Sequence, residues 1–97
     1  MKTEQIVEEL KTAAGRLGFA VRTEIGNFRG GRCKIDGEEV IMLNKRHPSE
    51  TQLVVLADSL RGLPIDRIFL KPAVRAALEE VWQRHETLEV GGADDTE

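Results

Sequence analysis

The constraint that most limits how this chain can fold is a change of hydrophobic period near residue 18. Over residues 3–17, Ile6, Val7, Leu10, Ala13, Ala14 and Leu17 recur at i, i+4, i+7 and i+8, with Glu4, Glu8, Glu9, Lys11 and Arg16 outside that stripe. This is the repeat of an amphipathic helix. Beyond Gly18, which suits a left-handed helix terminus, Phe19, Val21, Thr23 and Ile25 alternate with Ala20, Arg22 and Glu24. A two-residue alternation is that of a half-buried strand, so one helix and one strand must pack within the first 25 residues.

The six residues Gly26-Asn27-Phe28-Arg29-Gly30-Gly31 break the strand, because glycine and asparagine favour positive φ or close backbone approach. They predict a turn or bulged loop. Two apolar runs follow, Arg32 to Ile35 and Glu39 to Asn44, joined at Asp36-Gly37, a dipeptide suited to a tight hairpin. Val40-Ile41-Met42-Leu43 shows no polar alternation, as expected of a strand that is central or covered on both faces. Three antiparallel strands are therefore predicted.

Pro48 and Ser49 open a second helix, for which Ser49 and Gln52 have the spacing of a capping box. Its stripe is Leu53, Val54, Leu56, Ala57 and Leu60, and Gly62 and Pro64 end it. Residues 65–70 fit either a short strand or a connector. Pro72 starts a third helix whose Val74, Ala77, Leu78, Val81, Trp82 and His85 share a face. The order predicts a single α+β domain over residues 1–86: an N-terminal helix, a three-stranded antiparallel sheet, and two C-terminal helices packed on one face. A disordered acidic tail is expected over 87–97, where Gly91-Gly92 and the acids after them offer nothing to bury.

Composition narrows function by exclusion. The chain has 97 residues, 14 Lys+Arg, 17 Asp+Glu and one cysteine, so Cys33 has no partner for an internal disulfide and a cysteine-rich zinc site is out of reach. No apolar run approaches a membrane span, and the opening Met1-Lys-Thr-Glu-Gln is unlike a signal peptide. A cytoplasmic location is the expectation. The net charge of −3 is uneven, since Glu86, Glu89, Asp94, Asp95 and Glu97 lie at the end while residues 16–75 carry an excess of arginine and lysine.

His47, His85 and Cys33 form no ligand spacing, and no serine sits in a nucleophile elbow. Catalytic residues, a metal and a cofactor are accordingly all expected to be absent. The candidate binding residues are Phe28, Arg29, Gly30, Gly31 and Arg32. Glycines between two arginines expose backbone amides to an acidic group, and an aromatic beside arginines suits stacking, although the lysine and helix of a Walker loop do not follow.

Two resemblances rest on particular runs. Phe28-Arg29-Gly30-Gly31-Arg32-Cys33, Val40-Ile41-Met42-Leu43-Asn44-Lys45 and Lys71-Pro72-Ala73-Val74-Arg75 look like a family of small uncharacterised bacterial proteins of this length. That implies a bacterial domain and brings no activity. Leu56-Ala57-Asp58-Ser59-Leu60-Arg61-Gly62 is similar to the Leu-Ala-His-Glu-Leu-Gly-His helix of the zinc peptidases that cleave phage-type repressors (ImmA/IrrE-like). Asp58 and Gly62 fall where that family has its metal histidines, and Ser59 where it has its catalytic glutamate. The resemblance thus implies a shared scaffold whose chemistry is gone.

The expected function is a non-enzymatic binding or regulatory module that contacts a macromolecule, with a protein partner favoured because arginine enriches protein interfaces. Two alternatives stand beside it. One is a nucleic-acid-binding domain using the basic glycine loop, and the other is a degenerate metallopeptidase-like enzyme.

Overall fold

A computed structural model of the chain describes the backbone of residues 1–95 and the side chains of residues 1–84. Helix α1 spans Thr3–Arg16, strand β1 Ala20–Glu24, β2 Gly31–Ile35, β3 Glu38–Asn44, and helix α2 Ser49–Leu60. A 3₁₀ turn at Ile65–Arg67 and helix α3, Pro72–Asp95, complete it. This is the expected α+β architecture, and the connector at 65–70 is a turn rather than a strand. The disordered acidic tail expected over 87–97 concerns residues whose side chains lie outside those described.

Helix α1 ends in the motif its sequence implies. Gly18, at φ +97°, donates its N–H to Gly15, and Phe19 donates to Ala14 at 3.0 Å, which satisfies carbonyls the helix leaves unpaired. The same turn buries Phe19 and aims the chain into β1. In the hairpin, Asp36 and Gly37 have φ of +51° and +83°, and both positive values fit a two-residue turn that matches the strand twist.

The sheet departs from expectation in one respect: it is mixed. Its order is β1-β3-β2, with β1 parallel to β3 and β2 antiparallel to β3. The reason lies in burial. Val40, Ile41 and Leu43 of β3 are each at most 2% exposed, so this most apolar strand takes the central place and β1 and β2 become the edges. Residues 25–30 must then carry the chain from the end of β1, past the end of β3, to the start of β2.

Side chains alternate across this frame. Ile41 and Leu43 face the helices and join Leu10, Leu56, Leu60, Val74 and Leu78 in the core. Helix α2 lies in the middle, against β3, α1 and α3, and its buried arc (Val55, Leu56, Ala57, Ser59, Leu60) is correspondingly wide. The expected capping box does not form. Pro48 is the N-cap residue, Ser49 makes no side-chain cap bond, and the Gln52 amide reaches instead to the Asn44 carbonyl, at 3.1 Å.

A polar contact within a mainly apolar interface joins helix α3 to α2. The Ala57 carbonyl is among the last four of α2, and the Arg61 N–H turns to Asp58. The Trp82 indole N–H therefore supplies a donor to Ala57, at 2.7 Å. Exposed pairs Lys71–Glu9, at 3.1 Å, and Arg75–Asp66 lie at the start of α3, where solvent screening leaves such pairs weak. Asp66 also raises the Arg75 pKa above its ordinary value, through a hydrogen bond and its charge. Replacing Trp82 with Phe keeps one aromatic ring but removes the indole N–H and leaves the Ala57 carbonyl without that donor, and should cost about 1–3 kcal/mol, read as a lower urea midpoint at unchanged m-value.

Candidate functional site

The loop between β1 and β2 is held by one buried side chain. Asn44, at the end of β3, is 4% exposed, and its amide nitrogen donates to the carbonyls of Gly26 and Phe28, both at 2.8 Å. Its side-chain oxygen accepts the Arg46 N–H at 3.0 Å. Both donors of the carboxamide are used, so the loop is pinned where it crosses the end of the central strand. The Asn44 backbone carbonyl takes the Gln52 amide and the His47 N–H, at 3.1 and 3.0 Å, which joins the same point to the start of α2.

Backbone geometry requires glycine at one position of this loop. A Cβ on Gly30, whose φ is +96°, would lie 2.4 Å from the Met42 carbonyl oxygen, so only glycine lets the loop come this close to β3. A Cβ on Gly26 would meet the Phe28 ring at 2.8 Å. Phe28 is half-buried over Gly26, not splayed outward.

What the loop positions is an open depression of about 260 Å³, lined by Arg29, Gly30, Gly31, Arg32, Val55, Asp58 and Ser59. Four of the five residues singled out in the sequence thus converge, and Phe28 is the one that does not line it. Arg29 pairs with Asp58 at 3.1 Å, with the arginine side chain 71% exposed. The Arg32 guanidinium lies 5.3 Å from the centre of the Phe19 ring and has no ion pair among the described residues. Ser59 is buried and donates its hydroxyl to the Val55 carbonyl at 2.7 Å.

Sequence reasoning missed three of the lining residues as a binding surface. Val55, Asp58 and Ser59 stand on α2, 24 or more positions beyond the loop, and only the packing of α2 against β2 brings them in. Cys33 and His47 are not part of the lining. His47 is half-buried, with its Nδ1 lacking a hydrogen-bond partner, and the His85 side chain lies outside the described residues. Among the described residues no three His, Cys, Asp or Glu side chains cluster to hold a metal ion, and no helix is long and apolar enough to cross a membrane.

Comparison of the chain with protein-family models, curated proteins and solved structures returns no match. The site presents two guanidinium groups and one carboxylate at an open surface, beside a loop anchored by Asn44.

Asn44→Ala should destabilise the fold by about 2–5 kcal/mol in chemical denaturation, because it leaves two carbonyls without donors in a buried place. Asn44→Asp should cost more, since a carboxylate facing the Gly26 and Phe28 carbonyls repels both. Equal stability of the Ala and Asp variants would contradict this.

Proposed function

We propose that this domain is a binding module that contacts a protein partner through the surface formed by Arg29, Gly30, Gly31 and Arg32 with the α2 residues Val55, Asp58 and Ser59. The observation that carries the reading is the depression itself. It is open, it joins an apolar side chain to charged and hydroxyl groups, and the loop that shapes it is tied down by Asn44. A surface already ordered before binding loses little conformational entropy on association. Arginine there supplies planar donors suited to carboxylates and backbone carbonyls.

The peptidase resemblance, taken as part of this proposal, adds a reason for a cleft at this place. Asp58 and Ser59, which fall on the metal and glutamate positions of that family, both line the depression. A scaffold of that kind with a carboxylate and a hydroxyl in those positions is suited to hold a chain rather than to cut it. We place the domain among bacterial cytoplasmic regulatory modules on the same footing. A nucleic-acid partner is disfavoured by the Arg29–Asp58 pair and by Phe28, which is folded onto Gly26 instead of being offered for stacking.

The test is affinity capture from an extract of the producing cells, with and without nuclease, using the wild-type domain and the Arg29→Glu, Arg32→Glu double variant. The reading predicts a protein retained by the wild type, insensitive to nuclease, and lost from the variant. Retention abolished by nuclease would move the assignment to nucleic acid, and retention unchanged in the variant would remove the site.

A further inference from the structure

Strand β2 is an edge of the sheet, with no strand beyond it among the described residues. Its backbone polarity follows from the hairpin. With two residues in the turn, Ile35 and Glu38 form the first hydrogen-bonded pair, and the register Cys33↔Val40 and Gly31↔Met42 continues it. The peptide groups of Arg32 and Lys34 therefore point away from β3, toward solvent. Both residues are exposed, and β2 begins at the depression just described.

Side-chain alternation assigns the two faces of this edge different characters. Arg32 stands opposite Ile41, on the helix-bearing side, and Lys34 is on that side with it. Cys33 stands opposite Val40 on the other side, with Ile35 next along it, and Val40 is 2% exposed. A strand added beside β2 would thus meet two cations on one face and an apolar strip on the other.

We infer that β2 takes an extended acidic segment of a protein partner as a fourth strand, with two acidic side chains, two positions apart, set beside Lys34 and Arg32 and an apolar residue between them beside Cys33. This deepens the proposed function and rests on it. The outward N–H and C=O groups of Arg32 and Lys34 give main-chain bonds, and the cross-strand charge pairs give selectivity. Charge also decides against a second copy of the chain as the occupant. Antiparallel pairing of two β2 strands centred on Cys33 sets Arg32 against the other copy's Lys34, and like charges directly opposite are destabilising. Of the two cations, Lys34 has its ammonium 3.8 Å from Glu39 in an exposed pair, and Arg32 has no carboxylate partner among the described residues.

The probes are two labelled hexapeptides, one alternating glutamate with valine and one alternating lysine with valine, titrated by fluorescence anisotropy and followed by amide exchange. The glutamate peptide should bind about tenfold more tightly than the lysine peptide, as two cross-strand charge pairs imply. It should also slow exchange at the Arg32 and Lys34 amides. Lys34→Pro removes one outward donor and no donor of the β2–β3 ladder, which edge strands tolerate, and it should weaken binding at least about tenfold. Circular dichroism checks that this variant is folded, and exchange in the wild type tests the geometry independently of it.

Glutamate-peptide binding that survives Lys34→Pro, with no protection of the two amides, would overturn strand addition while leaving the Arg29–Arg32 surface in place. Equal binding of the two peptides would overturn the acidic preference. Absence of binding by either peptide, together with capture indifferent to Arg29→Glu and Arg32→Glu, would overturn both the inference and the reading beneath it.

Discussion

The Asn44 carboxamide stands where three parts of the chain meet: the end of the central strand, the loop that crosses it, and the turn into α2. The sheet order β1-β3-β2 requires that crossing, and a crossing loop brings backbone carbonyls over the end of a strand where no ladder can satisfy them. An amide with two donors, 4% exposed, answers that need at Gly26 and Phe28. Gly30 makes the close approach sterically possible, and Asn44 makes it electrostatically acceptable. The position of Arg29 and Arg32 at the depression follows from these two residues.

Layering then sets the rest. Helix α2 packs against the sheet and against both other helices, which explains why its buried arc is wide, and its last turn takes an outside donor from Trp82. Its Val55, Asp58 and Ser59 meet the loop along one flank, so the candidate surface is shared between an edge of the sheet and the central helix. Groups held by such different elements keep their spacing only if the core keeps its packing. Leu56 and Leu60, both fully buried, provide that packing, and the surface is in this sense a property of the whole fold.

Much of the architecture was legible because it is local. The helical stripe of α1, the Gly18 terminus, the Asp36-Gly37 hairpin and the Pro72 start of α3 are each encoded within a few residues, and the uniformly apolar run of β3 announced a central strand. The parallel pairing of β1 with β3 was not legible. Alternation marks a strand but not its neighbour, and an antiparallel meander satisfies the same pattern. Gln52 was misread for a related reason: its spacing from Ser49 suits a local cap, yet the Asn44 carbonyl, eight residues away in sequence, holds it. At the candidate site the loop half was visible as glycines between arginines. The α2 half was not, because Asp58 and Ser59 look like ordinary helix residues until α2 packs on β2.

Asn44 holds the crossing loop through its carboxamide, and the side-chain amide protons of Asn44 report on this directly. Hydrogen exchange followed by nuclear magnetic resonance on the folded domain should find both protons resolved and protected to the same order as the Ile41 and Leu43 amides of β3. Exchange at the rate of a free asparagine side chain, with the β3 amides still protected, would show that the loop is held by something else.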